Sequence, residues 1–356
     1  MHSICRIALL IAATGALAET PFYADKSNLL TYRAADGSAT PVTTAQDWAN
    51  RRNHILENVQ KVAGPFPGKE KEVPFDPVAD PDMDMGSYVR RKMTIAVEAG
   101  DRLPVYLLIP KKGTSRRPAM VCLHQTSVHG KDEVAGLAES TTLDYGHELA
   151  ERGYVVIAPD YPNMGEYKVD PYALGYASTT MKAIWNHKRC VDYLVSLSEV
   201  DSGRIGAIGH SLGGHNSLFL GLFDERIQCI VTSCGFCSFS KYYGGNLTGW
   251  SHNGYMPRIA TDFGKDPAKM PFDFTEVLAS LAPRAVFINA PMRDDNFDWT
   301  GVRDCVDAAK PVYALLQAAD RLEVRYPDCE HEFPDELRNS AYACIDTAIG
   351  PAETNR

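Results

Sequence analysis

The sequence lacks several features that would mark other classes of protein. The apolar run at residues 7–13 is too short to span a bilayer as a helix, and no other apolar run is long enough to cross a membrane. The sequence also has no excess of basic residues, because it contains 36 Lys and Arg but 45 Asp and Glu. Binding to nucleic acid or anionic lipid would favour such an excess. Internal repeats and the paired Cys and His spacing of zinc sites are also missing. These absences argue against nucleic-acid, membrane and metal partners.

The N-terminus has the three parts of a secretory signal peptide. Arg6 supplies a positive charge, residues 7–13 form the apolar segment, and residues 16–18 have the small-x-small form of a cleavage site. We therefore expect residues 1–18 to be removed and the remaining chain to be secreted or periplasmic. An uncleaved N-terminal anchor is the alternative.

Residues 19–86 are predicted to form an N-terminal helical arm and linker. Trp48 and Ile55 recur at helical spacing on an apolar face, and Arg51 is interpreted as lying off that face. Residues 73–86 are rich in Pro and Asp and predict a surface linker. One helix cannot bury its apolar face alone, so the arm is expected to pack on the main domain.

The main domain is predicted over residues 87–350, where short apolar runs alternate with helical segments. Eight strands are predicted, at residues 88–97, 103–109, 119–123, 154–158, 204–208, 227–231, 285–288 and 322–326. The first two predict an antiparallel hairpin, and the other six are typical of parallel strands buried on both faces. The predicted fold is therefore α/β, with a mostly parallel eight-stranded sheet and helices on both faces. A cap insertion is predicted at about residues 238–273.

The strongest local motif is Gly209-x-Ser211-x-Gly213, which lies between a predicted strand and an apolar helix. A sharp turn at this point strains the backbone at the serine and requires small neighbours. The turn would hold the Ser211 hydroxyl above the sheet at a helix N-terminus, where the Leu212 N–H can stabilise an oxyanion. Ser211 is therefore the predicted nucleophile, the alternative being a buried serine in a glycine-rich turn.

A serine nucleophile needs a base and an orienting acid. His331 follows the last predicted strand, so it is expected at the carboxyl edge of the sheet as the base. The acid should precede it in the chain, and the loop after the strand at residues 285–288 offers Asp294 and Asp295. Asp294 is favoured over Asp295, and Asp298 is a weaker alternative.

The second oxyanion donor is expected in the loop after the strand at residues 119–123. Gln125 is predicted to supply this N–H, with Thr126 as the alternative, and His124 is expected to support the loop. Within the insertion, Tyr242, Tyr243 and Trp250 are predicted to line a substrate pocket suited to sugar rings or aryl esters. Their alternative role is to pack the cap.

Eight cysteines follow the predicted signal peptide, an even number that permits disulfides in an exported protein. Cys329 and Cys344 flank a short loop and a helix, and they are the favoured pair. No cofactor and no metal are expected.

Taken together, these residues resemble the α/β-hydrolase superfamily over residues 87–348. The chain is similar, within it, to dienelactone-hydrolase-like and acetyl-xylan-esterase-like bacterial hydrolases, through Asp-Tyr-Pro at residues 160–162 and Leu-Ala-Pro-Arg at residues 281–284. The resemblance implies hydrolysis through an acyl-enzyme. Dienelactone hydrolases proper use a cysteine where this chain has Ser211, so their lactone substrate is not carried over.

The predicted function is a secreted serine carboxylic ester hydrolase acting on small-molecule or polysaccharide esters, such as acetylated carbohydrate or small acyl esters. One alternative is an exported serine peptidase of the same fold. Such peptidases commonly carry a propeller domain, for which the N-terminal extension is too short. The other alternative is a binding protein that retained the fold without the activity.

Overall fold

The computed structural model describes residues 20–112, 116–138 and 143–350. The predicted signal peptide at residues 1–18 lies outside the described residues. Within the described ranges, no helix has the length and hydrophobicity to cross a membrane.

A ten-stranded sheet forms the centre of the molecule, and a separate hairpin of β1 (Thr31–Arg33) and β2 (Ala39–Pro41) lies in the arm. All eight predicted strands are found, so the prediction of eight was two strands short. The extra strands, β3 (Val78–Ala79) and β4 (Met83–Asp84), come from the segment interpreted as a linker and pair with β5. The predicted strands are β5 (Tyr88–Glu98), β6 (Asp101–Pro110), β7 (Arg117–Leu123), β8 (Val155–Pro159), β9 (Val200–His210), β10 (Ile227–Ser233), β11 (Ala285–Asn289) and β12 (Leu322–Arg325).

The strand order is β12-β11-β10-β9-β7-β8-β6-β5-β3, with β4 also on β5. Strands β7 to β12 are mutually parallel, whereas β6 runs antiparallel to both of its neighbours. The carboxyl ends of the parallel strands therefore meet at one edge, where open α/β sheets bind ligands.

Helices cover both faces of the sheet, as predicted. Those of the described residues are α1 (Ala45–Ala63), α2 (Tyr145–Glu151), α3 (Thr179–Ser196), α4 (Leu212–Phe223), α5 (Arg258–Thr261), α6 (Phe274–Ala279), α7 (Trp299–Leu315) and α8 (Asp335–Ile349). Apolar side chains of α2 and α8 form one buried cluster against the sheet. Those of α1, α3, α4, α6 and α7 form a larger cluster on the opposite face.

Helix α1 carries one correction to the sequence analysis. The helix begins with a capping box and buries Trp48 and Ile55, but Arg51 is buried with them. Position 51 is three residues after 48 and four before 55, so the helical period places it on the same face. Its charge is compensated by an ion pair with Glu276 of α6 and by the ring of Tyr23, 3.5 Å from the guanidinium carbon.

Candidate active site

Ser211 lies at a tight turn between β9 and α4. Its φ of 52° and ψ of −119° fall in a region that side chains other than glycine rarely adopt, and its N–H donates to the Ser233 carbonyl at 2.7 Å. A Cβ at Gly209 would lie 2.1 Å from the carbonyl carbon of Gly213, and one at Gly213 would lie 1.9 Å from the Leu123 oxygen. The two glycines are thus sterically required, because the backbones of turn and sheet touch here.

The imidazole of His331 is hydrogen-bonded to Asp294. Its Nδ1 lies 2.9 and 3.0 Å from the two carboxylate oxygens, and the Asp294 side chain is only 1% exposed. The N–H groups of Asn296 and Phe297 also donate to this carboxylate. Burial alone would raise the pKa of Asp294, but the hydrogen bonds and the charge of His331 outweigh it and hold the pKa below its usual value. The carboxylate is therefore ionised beside the imidazole.

The two competing carboxylates occupy other places. Asp295 is exposed. Asp298 caps α7 and accepts hydrogen bonds from the backbone and the hydroxyl of Thr300. Of the three, only Asp294 contacts His331.

His331 also packs near the turn that holds Ser211. Its ring centroid lies 4.9 Å from that of His210, the residue before the serine. Burial lowers the pKa of His210 to about 3, so a neutral ring lies beside His331. Within the described residues no hydrogen bond joins the Ser211 hydroxyl to His331. Such contacts are often long in unliganded enzymes and tighten when substrate binds.

Asn289 connects the elements that carry these side chains, and sequence reasoning did not single it out. Its amide nitrogen donates to the Glu332 carbonyl and to the Ser233 hydroxyl, both at 2.9 Å. Ser233 in turn accepts from the Ser211 backbone, so one buried amide links the His331 loop to the serine turn. Asn289 is the last residue of β11, at the carboxyl edge of the sheet, and that position could have identified it as a candidate site residue.

The loop after β7 is held by His124. Its Nε2 accepts from the Tyr161 N–H at 2.9 Å, so the proton is on Nδ1 and donates to the Gln125 carbonyl at 2.6 Å. Burial lowers the pKa of His124, which keeps the ring neutral, and the two hydrogen bonds set this tautomer. His124 thus supports the loop, in the way that the sequence analysis expected.

The two predicted oxyanion donors are placed differently. Leu212 is the first residue of α4, so its N–H is one of those left free at a helix N-terminus, and the residue lines a cavity over Ser211. Gln125 does not line that cavity, whereas its neighbour Thr126 does. Which N–H of this loop is the second oxyanion donor stays a prediction. The position of Thr126 in the cavity wall favours Thr126 over Gln125.

The cavity over Ser211 has a volume of about 60 Å³. Tyr242 and Trp250 contribute to its wall, but Tyr243 does not and is 58% exposed. No Asp, Glu, Lys or Arg is among the described residues that line it. They are Thr126, Ser211, Leu212, His215, Tyr242, Gly249, Trp250, Tyr255, Asn296 and Phe297.

An open groove of about 430 Å³ adjoins this cavity. The two share Thr126 and Tyr255, whose hydroxyl oxygens are 3.3 Å apart. In the groove, the hydroxyls of Tyr161 and Tyr172 donate to the backbone carbonyls of Gly254 and Asn253, respectively. The rings of these tyrosines are thereby held as fixed apolar walls beside the cavity.

One group of side chains has the composition of a metal site. Ligand atoms of Cys234, Asp294 and His331 lie within 4.8 Å of one another. The hydrogen bond between Asp294 and His331 already accounts for part of this proximity. That no metal is needed stays a prediction.

Comparisons with known proteins agree with this architecture. A family model described as "Glucuronyl esterase, fungi" matches residues 167–317. A solved glucuronoyl esterase from Solibacter usitatus superposes with a TM-score of 0.69 at 20% identity, over 93% of this chain and 99% of that chain. This chain therefore has the fold of that esterase, an α/β fold with a mostly parallel sheet. The predicted α/β fold class is thereby confirmed, and these matches agree with the predicted resemblance to α/β hydrolases.

Two curated relatives extend the comparison. A carbohydrate esterase from an unknown prokaryotic organism is 23% identical over 345 residues, covering 81% of this chain and 79% of the relative. A 4-O-methyl-glucuronoyl methylesterase from Hypocrea jecorina is 24% identical over 298 residues, or 78% of this chain. The match spans 59% of that fungal protein.

Proposed function

We propose that this protein is a serine esterase that hydrolyses carbohydrate esters, with Ser211 as nucleophile, His331 as base and Asp294 as orienting acid. One observation carries the proposal: a strained serine at a helix N-terminus lies at the same sheet edge as a histidine hydrogen-bonded to a buried, ionised aspartate. This combination suits acyl transfer, because the Asp294 carboxylate can stabilise the imidazolium that forms on His331 when the serine loses its proton.

The reaction proceeds in two halves. Substrate binding brings the Ser211 hydroxyl into hydrogen-bonding contact with Nε2 of His331, which takes the proton as the serine oxygen attacks the ester carbonyl. The Leu212 N–H and one N–H of the loop after β7 stabilise the oxyanion. His331 then protonates the departing alcohol, and a water molecule hydrolyses the acyl-enzyme by the same path.

The uncharged cavity bears on the substrate. Charge in the acyl group would be desolvated there without a partner, so a neutral acyl group is favoured. A sugar acid whose carboxyl is esterified is neutral at that position, and the fungal relative is named for a methyl ester of this kind. We therefore propose an ester of a sugar acid as the substrate class, with methyl glucuronate as the first compound to test.

An acetyl ester of a sugar is the second candidate. The cavity of about 60 Å³ has room for about four to six water-sized groups, which matches a short acyl chain. An acetylated monosaccharide compared with methyl glucuronate at equal concentration distinguishes the two candidates by their kcat/KM.

The test uses the purified protein, its Ser211→Ala variant and the control Ser196→Ala, a serine in the last turn of α3 away from the cavity. We expect Ser211→Ala to lose turnover and labelling by a fluorophosphonate probe, and the control to keep both. Turnover in Ser211→Ala, or a native protein that the probe does not label, would contradict the proposal. Faster cleavage of aminoacyl nitroanilides than of esters would favour the peptidase.

Export is proposed separately, on the signal-like residues 1–18. Expression of the full chain in a Gram-negative host, followed by fractionation and N-terminal sequencing, tests it. We expect a mature chain in the periplasm or the medium that begins at Glu19. Intact residues 1–18 on a cytoplasmic protein would reject this proposal.

A further inference from the structure

Two cysteines far from the proposed active site lie together at the opposite end of the sheet. Cys229 is the third residue of β10, on the face covered by α8, and it is fully buried. Cys344 is on α8 and packs partly buried against the same apolar cluster. The two lie 115 positions apart in the chain but belong to the same apolar cluster in the fold.

The surroundings of Cys229 allow the helix to approach closely. Its register partners on the two adjacent strands are Gly206 and Ala285, both small. A Cβ at Gly206 would lie 3.0 Å from the side chain of Ile349, also on α8. The small residues on either side of Cys229 therefore bring α8 down onto the sheet where Cys344 stands.

A groove gives solvent access to one of the two thiols. It has a volume of about 560 Å³, and Cys344 lines it together with Ala285, Glu323 and Arg325. Cys229 does not line it. The Cys344 thiol is thus reachable by a small reagent, while Cys229 is shielded from solvent.

The two thiols also differ in acidity. Their mutual hydrogen bond raises the pKa of Cys229 and lowers the pKa of Cys344. Cys229 therefore stays protonated as the donor, and Cys344 is the better thiolate. A reachable thiolate backed by a second thiol is the arrangement of redox-reactive cysteine pairs.

We propose that Cys344 and Cys229 form a redox-reactive pair that closes to an intramolecular disulfide, tying α8 to the centre of the sheet. The proposal does not rest on the esterase function. It replaces the predicted Cys329–Cys344 pair, which the structure does not form: every described cysteine has a free thiol. Cys329 lies in the His331 loop, and Cys344 is nine residues into α8, roughly 14 Å along the helix axis from its first residue.

The oxidant is a small disulfide. The Cys344 thiolate attacks one of its sulfurs, the S–S bond of the oxidant breaks, and one half leaves as a thiol while the other forms a mixed disulfide with Cys344. Cys229 loses its proton, attacks the Cys344 sulfur and expels the second half. Two cysteine thiols are thereby oxidised to one disulfide, and the oxidant is reduced to two thiols.

The experiment incubates the purified, reduced protein with oxidised glutathione. Thiols are then counted after unfolding, and peptides are mapped by mass spectrometry without reduction. We expect a loss of two thiols, a peptide joining positions 229 and 344, and a thermal midpoint raised by roughly 5 °C or more, because the bond closes a long loop. The matched control Cys329→Ser, which removes the other partly exposed thiol, should behave in the same way.

Two variants make the result decisive. Cys229→Ser should stop at glutathione bound to Cys344, and Cys344→Ser should lose no thiol from this pair. A native protein that keeps all of its thiols, that retains glutathione on Cys344, or that joins Cys344 to Cys329 would overturn the proposal. Cleavage of the ester substrate by the oxidised protein is a separate measurement, so failure here would leave the esterase proposal untouched.

Discussion

Replacement of Asp294 by asparagine removes a charge while it preserves the shape of the side chain. The amide oxygen can still accept the N–H groups of Asn296 and Phe297, so the loop should fold as before. What is lost is the attraction between the carboxylate and the imidazolium that forms on His331 during the reaction. Asparagine can also offer its NH₂ to Nδ1, which favours the wrong tautomer of His331.

The size of the effect follows from the distance. For unit charges 2.9 Å apart, the Nδ1 to Oδ1 separation, Coulomb's law with an effective dielectric constant of about 20 gives about 6 kcal/mol. Each factor of ten in rate corresponds to about 1.4 kcal/mol, so the full loss equals about four decades. The His331 side chain is 26% exposed and partly screened, so we expect kcat to fall by about 10³- to 10⁴-fold.

The assay is the hydrolysis of methyl glucuronate and of p-nitrophenyl acetate, with the thermal midpoint measured on the same samples. Asp295→Asn is the matched control, because it makes the same change at the exposed neighbouring position and should alter kcat by less than about threefold. An Asp294→Asn enzyme within tenfold of the native kcat, or a collapse of activity in Asp295→Asn alone, would refute the assignment.

Three further predictions concern the turn, the loop and the response to pH. Gly213→Ala should lower the free energy of unfolding by at least about 3 kcal/mol, measured by denaturant titration, because its Cβ would lie 1.9 Å from the Leu123 oxygen. Asn289→Ala should lower kcat by about 10- to 100-fold with little change in KM, because the His331 loop loses its hydrogen bond at Glu332. Burial raises the pKa of Asp273 to about 7, so the folded chain binds more protons than the unfolded chain between about pH 4 and 7, and the stability contributed by this group falls as the pH rises through that window. Asp273→Asn cannot titrate, so its thermal midpoint relative to the native protein should rise by several degrees between pH 4.5 and pH 8.

Each of these predictions has a result that contradicts it. Gly203→Ala is the control for the turn, since its nearest contact would be 3.5 Å away, and equal stability of the two glycine variants would reject the steric argument. A KM that rises while kcat stays constant in Asn289→Ala would assign that residue to binding instead of positioning. A midpoint difference that does not change with pH would show that Asp273 is already ionised in the folded chain at low pH.

Local sequence was sufficient for the turn at Ser211. The turn leaves no space for a Cβ at positions 209 and 213, where one would meet the turn itself or the adjacent strand. The glycines at these two positions therefore indicate the turn in the sequence. The strands could be predicted equally well, because strands buried on both faces consist of continuous apolar runs. The added strands β3 and β4 are two residues long and exposed, which leaves no apolar pattern to detect.

Contacts between side chains that are distant in sequence could not be predicted in the same way. Asp294 and Asp295 are chemically identical neighbours, and only the path of the loop decides which carboxylate faces His331. Arg51 is interpreted from the sequence as a surface residue, yet in the fold Glu276 of α6 and Tyr23 of the N-terminal segment contact its guanidinium. In both cases the deciding contact comes from a segment distant in sequence.

The amino-acid sequence by itself therefore determined the α/β alternation, the serine turn and the order in which Ser211, Asp294 and His331 follow one another, because short-range sterics and hydrophobic periodicity govern those features. The tertiary structure alone decided which carboxylate meets the imidazole, which aromatic rings enclose the serine, and that Cys344 stands against Cys229 instead of Cys329. Those choices depend on how helices and loops dock on the sheet, and docking is a property of the whole packed molecule.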